Sequence, residues 1–309
     1  MSRILVGFTG ATEMSRPLDL SRLEEEFRLL RRIGDEVGYE GGLVDELHFA
    51  LCALGDQLIP SLKRMGYVLY PRRSAMPEVG ELARRHEVRL GGHGSYLINL
   101  ASSRKALRRA SKGHITALCN RMEMSGGMYG VVHVGYWKGV SRKEAEEHIV
   151  ESLEGFADKL PVPIALENAG LFKAIGPVDF LLGIAERFRN VTLCIDFAHI
   201  HATTKGGIKS KEAAEAVLAH VKERLGDRLI VIHVSDIRWG ESGEVRHVRF
   251  GESDLNYRAV FEAIAEEAPK NCVVICESPD RANDTRLLIG SLRARFESRK
   301  TEGPCDRSC

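Results

Sequence analysis

No apolar run in this 309-residue chain approaches the roughly 20 residues that a bilayer-spanning helix needs, which excludes a helical membrane protein. The opening residues Met1-Ser2-Arg3-Ile4-Leu5-Val6-Gly7 lack the plan of a secretory leader and read as an immediate first strand, so a cytoplasmic location is expected. An excess of either charge is missing too: 44 Lys and Arg stand against 43 Asp and Glu, for a net charge of +1. Global charge therefore gives no argument for nucleic acid, and any phosphate affinity has to come from local clusters or bound metal. Internal repeats and an interdomain linker are also absent. One domain over 1–298 is expected, followed by a disordered polar tail over 299–309 and no partner subunit. The seven cysteines cannot all pair. Cys52, Cys119, Cys194, Cys272 and Cys276 lie in apolar or helical surroundings and read as small core residues. Cys305 and Cys309 sit in the tail, where reduced thiols are expected.

What the chain does have is alternation. Strands are predicted at 3–8, 43–49, 88–92, 130–133, 164–167, 191–196, 229–234 and 272–277. Helices are predicted at 17–37, 50–65, 77–85, 102–123, 141–160, 178–188, 210–225, 254–267 and 284–298, with a short extended piece at 67–70. Ser141-Arg142-Lys143-Glu144 is a capping box that opens one of them. Strands separated by helices pair in parallel through right-handed crossovers. The strands are rich in β-branched residues and poor in charge, as buried parallel strands are. Eight strands in about 300 residues predict an α/β fold, a (β/α)₈ barrel, which commonly takes about 250 residues.

Six apolar runs each deliver a His, Asp or Glu at the C-terminal end. Val88-Arg89-Leu90-Gly91-Gly92 ends on His93, Gly130-Val131-Val132 on His133, and Ile164-Ala165-Leu166 on Glu167. Leu193-Cys194-Ile195 ends on Asp196 with His199 three residues on, Leu229-Ile230-Val231-Ile232 on His233, and Val273-Val274-Ile275-Cys276 on Glu277. A carboxylate at the end of a buried strand is costly to ionise unless something pairs with it. In a barrel these positions converge on the C-terminal mouth. Imidazole and carboxylate are the donors Zn²⁺ takes, and a carboxylate can bridge two cations. With His247, the set reads as a polynuclear metal site of two or three Zn²⁺ ions, with Mn²⁺ as an alternative. His48, His86, His114, His148, His201 and His220 read as ordinary hydrogen-bonded histidines. Arg72, Arg73, Arg104, Lys105, Arg108, Arg109 and Lys112 read either as solvated faces or as phosphate contacts. Tyr96 either packs locally or stacks beside a base.

The segment His93-Gly94-Ser95-Tyr96-Leu97-Ile98-Asn99-Leu100 resembles the endonuclease IV family of apurinic/apyrimidinic endonucleases. The resemblance continues through His133-Val134-Gly135, Leu166-Glu167-Asn168-Ala169-Gly170 and Cys194-Ile195-Asp196-Phe197-Ala198-His199. It extends to His233-Val234-Ser235-Asp236, His247-Val248-Arg249-Phe250-Gly251-Glu252 and Cys276-Glu277-Ser278, covering about residues 88–280. It implies a (β/α)₈ barrel with three Zn²⁺ ions that cuts the backbone of damaged double-stranded DNA 5′ to an abasic site. One ion would sit on His93, His133 and Glu167. A second would sit on the bridging Glu167, Asp196, His233 and Glu277. The third would take His199, His247 and an Asp two residues before it. That position here is Val245, which has no ligand atom, so Glu244, Asp236 or His201 takes its place or the third site is weak or empty. Tyr96 and Arg249 are implied substrate contacts. Glu167 and Glu277 are the expected catalytic carboxylates, holding the cluster and orienting or deprotonating the attacking water. The first 85 or so residues carry no recognisable family motif. Two other activities fit the same residues: a divalent-metal sugar isomerase or epimerase on the same barrel, and a damage-binding protein with impaired catalysis.

Overall fold

Eight segments of β-branched and apolar residues pair side by side and in parallel, and the last closes on the first. The computed structural model describes residues 4–9, 20–48 and 73–301. The barrel strands are β1 (Leu5–Thr9), β2 (Leu43–His48), β3 (Val88–His93), β4 (Gly130–His133), β5 (Ile164–Glu167), β6 (Val191–Asp196), β7 (Ile230–Val234) and β10 (Cys272–Cys276). Their order is β1-β10-β7-β6-β5-β4-β3-β2, which closes the ring. This is the predicted single-domain (β/α)₈ barrel. Main helices are α1 (Leu20–Glu36), α2 (Met76–Arg85), α3 (Lys105–Ser125), α4 (Arg142–Leu153), α5 (Val178–Arg187), α7 (Lys211–Leu225), α8 (Tyr257–Glu267) and α9 (Arg281–Thr301). No helix among the described residues is long and apolar enough to cross a membrane.

The alternation of side chains along each strand decides what fills the lumen. Leu5, Val44, Tyr129, Val131, Ala165, Cys194, Val231, Val273 and Ile275 form a separate buried cluster on the inner face. Side chains repeat every second residue along a strand. Two residues beyond Val44, Val131, Ala165, Cys194, Val231 and Ile275 stand Glu46, His133, Glu167, Asp196, His233 and Glu277. An apolar plug therefore fills the floor, and the next layer up carries these six ionisable side chains. Outward-facing strand residues join the larger core under the helices, with Val6, Leu90, Leu166, Leu193, Ile232 and Val274 all buried.

Several boundaries differ from the predicted ones. The helix opened by Ser141 carries both halves of its capping box but stops at Leu153, because Gly155 turns the chain at φ +62°. The helix predicted from Asp254 starts at Tyr257, since the Asn256 side chain accepts from the Ala259 amide and caps it there. Two elements were not expected. A short helix α6 (Phe197–Thr203) follows β6 directly, capped by Asp196. An antiparallel hairpin, β8 (Asp236–Gly240) and β9 (Gly243–Val248), extends from β7 over the mouth. The predicted helix at 50–65, the extended piece at 67–70, Cys52, Arg72, the side chain of His48 and the tail with Cys305 and Cys309 lie outside the described residues. Cys119, Cys194, Cys272 and Cys276 are buried and form no disulfide, as expected of core thiols.

Candidate metal centre

The ionisable layer faces a cleft of about 660 Å³ at the C-terminal mouth, lined by His93, Tyr96, His133, Glu167, His199, Glu244, His247 and Glu277 among others. Glu167, at the end of β5, is its centre. Its Oε2 lies 3.0 Å from Nε2 of both His93 and His133, and its Oε1 lies 3.3 Å from Nδ1 of His233 and 3.5 Å from Nδ1 of His199. Glu277 sits across the mouth, with Oε1 3.4 Å from Nδ1 of His233 and Oε2 3.6 Å from Nδ1 of His247. Three groups have ligand atoms all within 4.8 Å of one another: His93, Glu167 and His233; Asp196, His199 and His247; and Glu167, Asp196, His233 and Glu277. The structure thus brings together all eight residues predicted as ligands. His133 joins through its contact with Glu167.

The surrounding backbone fixes how each ligand is presented. Nδ1 of His93 lies 3.0 Å from the Gly94 carbonyl, so with Nδ1–H donating there the Nε2 lone pair turns to the cleft. Nδ1 of His199 stands 2.9 Å from the Asn168 carbonyl and is held in the same way. Asn168 also clamps Asp196: its Oδ1 accepts from the Asp196 amide at 2.7 Å and its Nδ2 donates to the Asp196 carbonyl at 2.9 Å. Oδ1 of Asp196 accepts from the His199 amide at 2.8 Å, while its fully buried Oδ2 has no hydrogen-bond partner among the described residues. A buried carboxylate oxygen left without a hydrogen bond, in a cluster of imidazoles, is what a cation site looks like in its protein atoms alone. The donor set fits Zn²⁺ or a similar divalent ion.

The place of the missing Asp is taken by a neighbour. Val245 points outward and is 68% exposed. Glu244, one residue earlier on β9, turns in instead, with Oε2 3.2 Å from Nε2 of His199 and Oε1 3.5 Å from Nε2 of His247. The hairpin places it there: the Glu244 amide donates to the Gly170 carbonyl at 2.8 Å, and Gly243 bridges Leu171 at φ +96°. A Cβ at Gly243 would lie 2.2 Å from the Gly170 carbonyl oxygen, so the close approach requires glycine. Asp236 does not reach the cluster, because its oxygens accept from the amides of Ile237, Gly251 and Ser253 at 2.8, 3.1 and 2.8 Å. His201 is turned away, with Nε2 3.2 Å from Asp254 and Nδ1 accepting from the Ile208 amide.

The remaining sequence expectations divide. Tyr96 is 67% exposed and stands over the mouth with its ring stacked on His133, centroids 5.8 Å apart. Arg249 lies outside the cluster, in an exposed contact 3.7 Å from Asp280. Arg108 is buried and donates to the Ser102 carbonyl and to Glu151, so it is a structural cation and not a free phosphate contact. His86, His148 and His220 pair with Glu24, the Ala101 carbonyl and Asp179, away from the mouth.

Two imidazoles of the cluster are shifted in opposite directions. Burial pushes the His93 imidazolium down, but the hydrogen bond and charge of Glu167 outweigh it and bring its pKa up to about 9. Burial, aided by the charges of His93 and His199, takes His133 down to about 4 despite Glu167. Relative to an ordinary 6.5, His93 adds stability that is whole below pH 6.5 and lost as pH rises through about 9. His133 behaves oppositely: its share is whole above pH 6.5 and lost as pH falls through about 4. The imidazole contribution to metal-free stability is therefore expected to peak near pH 6.5. Melting temperatures measured from about pH 5 to 9 check this, and saturating Zn²⁺ should remove the alkaline decline because Nε2 of His93 would then hold a cation in place of a proton.

A sequence profile of a xylose isomerase-like TIM barrel family matches residues 56–295. An uncharacterized protein of Methanocaldococcus jannaschii is 33% identical over 167 residues, which is 52% of this chain but only 60% of that relative's length. A probable endonuclease 4 of Persephonella marina is 28% identical over 203 residues, 62% of this chain and 70% of the relative. Among solved structures, endonuclease IV from Thermus thermophilus aligns with a TM-score of 0.62 at 16% identity, covering 96% of this chain and 100% of that one. A D-tagatose 3-epimerase-like protein aligns with a TM-score of 0.67 at 18% identity, covering 95% and 98%. At such identities the two structures speak to the fold alone.

Proposed function

The chain belongs to the xylose isomerase-like TIM barrel family, and from that premise we propose that it is a metal-dependent phosphodiesterase that cuts damaged double-stranded DNA 5′ to abasic sites. One observation carries the reading. Glu167, Asp196, His233 and Glu277 suffice for a single divalent cation, yet His93, His133, His199 and His247 also turn their rings to the same cleft. One cation has no use for four further imidazoles. Two or three cations do, and a multinuclear centre suits in-line displacement at phosphorus. The names carried by the relatives at about 28% identity point the same way.

His93, His133 and Glu167 would hold one Zn²⁺, and Glu167 would share it with a second on Asp196, His233 and Glu277. His199, His247 and Glu244 would hold the third. When bound, the cations lower the pKa of a water molecule and neutralise charge on the phosphate. The protein does the rest. Glu277, less enclosed than Glu167, faces the open cleft and accepts the proton of the attacking water. Tyr96 rests on the His133 ring and presents its outer face to a base or to the gap an abasic site leaves. Arg249 lies at the rim, within reach of backbone phosphate further out.

The test is a nicking assay on a duplex with one abasic site, using Zn²⁺-loaded protein beside Glu277→Ala. Cleavage 5′ to the site by wild type alone is the expected result. A ketohexose turned over by loaded protein that leaves the duplex intact would instead place the chain with the sugar epimerases of this fold. Tight binding to the abasic duplex without cutting would make it a damage-binding protein.

A further inference from the structure

The cluster of eight predicted ligands leaves one buried carboxylate of the same layer without a role. Glu46, in the middle of β2, is fully buried, and it belongs to none of the three groups able to surround a cation. It sits on the far edge of the His233 ring: its Oε1 is 3.2 Å from Nε2 and its Oε2 3.4 Å, while Nδ1 on the opposite edge faces Glu167 and Glu277. A second buried group holds Glu46 in turn. The Tyr129 hydroxyl donates to Oε2 at 2.9 Å, and the Tyr129 ring occupies space that only Gly91 leaves open, since a Cβ there would lie 2.3 Å from the ring.

We propose that Glu46 is a positioning residue for the metal centre: it accepts the Nε2–H of His233, fixes the ring's tautomer and angle, and commits the Nδ1 lone pair to a cation shared with Glu167 and Glu277. The inference rests on the cation-binding part of the function proposed above. Two other imidazoles show the pattern that Glu46 completes. His93 and His199 lean their remote nitrogens on the neutral carbonyls of Gly94 and Asn168. His233 leans on a carboxylate instead. A neutral imidazole donates on one edge only, so with Nε2–H turned to Glu46 its Nδ1 lone pair confronts two carboxylate oxygens. That arrangement is repulsive until a proton or a metal cation lies between them. An anionic partner also makes the imidazole a stronger donor to metal, and fixes its rotation. A buried carboxylate kept for packing alone would serve less well than an apolar side chain of similar size.

The test uses the full chain stripped of metal and titrated with Zn²⁺ against a competing chelator, for wild type, Glu46→Gln and Glu46→Ala. Glu46→Ala is expected to weaken the tightest binding step by about 10- to 100-fold, the usual cost of losing such a partner. Glu46→Gln keeps an acceptor without the charge and should fall between the two. Co²⁺-loaded protein gives a second readout, since a displaced His233 changes the visible absorption of both variants. The metal-free variants should keep the wild-type circular dichroism spectrum, and Glu46→Gln, which still accepts from Tyr129, should lose less melting temperature than Glu46→Ala. Equal Zn²⁺ affinity in all three proteins would overturn the proposal. So would weakened binding matched by an equally weakened metal-free fold. If Glu46→Ala does not fold, Glu46→Gln and Tyr129→Phe decide by the same measurements. No uptake of Zn²⁺ by wild type would bring down the metal reading itself, a result distinct from the others.

Discussion

On the proposed phosphodiesterase function, replacing Glu167 with glutamine is expected to cut cleavage at least about a thousandfold, since a lost cation would remove several kcal/mol of transition-state stabilisation and each ~1.4 kcal/mol is tenfold. Its two oxygens face four imidazoles of the cluster, those of His93, His133, His199 and His233. Every other carboxylate there faces fewer imidazoles. The amide keeps the shape and one acceptor but loses the anionic bridge that allows two cations to share one side chain. It also turns an N–H₂ toward imidazole nitrogens that are donors or ligands. Burial alone would push the Glu167 carboxyl up, yet the surrounding imidazoles hold it well below the usual carboxylate range. The site is thus built to keep it ionised. Metal analysis of the purified variant should show at least one cation fewer per chain, with the circular dichroism spectrum unchanged. A variant that retains full cation content and cleaves at the wild-type rate would remove Glu167 from the centre of the mechanism.

A second large effect is expected at the hairpin. Glu244→Ala should lose one equivalent of cation and on the order of a hundredfold in cleavage rate, a barrier change of about 2.7 kcal/mol. Val245→Asp should change little. The two residues are adjacent, and a strand sends adjacent side chains to opposite sides. Glu244 faces His199 and His247, while Val245 faces solvent. An aspartate at 245 would therefore project into water unless β9 slipped by a residue, and the bridge from Leu171 to Gly243 opposes that slip. The pair of variants separates two accounts of the third position. Activity that rises with Val245→Asp and survives Glu244→Ala would mean that the hairpin rearranges when cations bind.

Much of this is legible in the sequence itself. A parallel strand buried on both faces must be apolar, so the single ionisable residue at its C-terminal end is conspicuous, and six such endings in series marked the mouth of a barrel. The same rule hid Glu46. It lies inside its strand, in the run Leu43-Val44-Asp45-Glu46-Leu47-His48, where acids at neighbouring positions blur the period of two. Only the register against β3, which pairs Glu46 with Gly91, turns it inward to the lumen while Asp45 pairs with Leu90. The hairpin escaped notice because β8 and β9 are half-polar and short, so they resemble a loop. That is also why the three substitutes for the missing aspartate could not be ranked: Glu244, Asp236 and His201 all stand near the motifs around them, and only the hairpin and α6 separate the one that turns inward from the two that do not. The helix start at Tyr257 depends on which of several polar residues caps it, a choice made by the backbone of the preceding loop.

The seam of the barrel has a consequence for how the protein comes into being. Leu5, Val6, Gly7 and Phe8 pair with Val273, Val274, Ile275 and Cys276, so strands separated by nearly the whole chain lie side by side. A growing chain released from its N-terminus cannot close this ring until the residues around 276 have emerged, and until then β1 and β7 present bare edges. Glu277 follows directly on the closing strand. The last carboxylate of the centre thus arrives in the same event that seals the sheet. A chain truncated before Cys272 keeps those edges bare and lacks the carboxylate that would complete the group of Glu167, Asp196, His233 and Glu277. Closure of the sheet and completion of that four-residue group are one step in time.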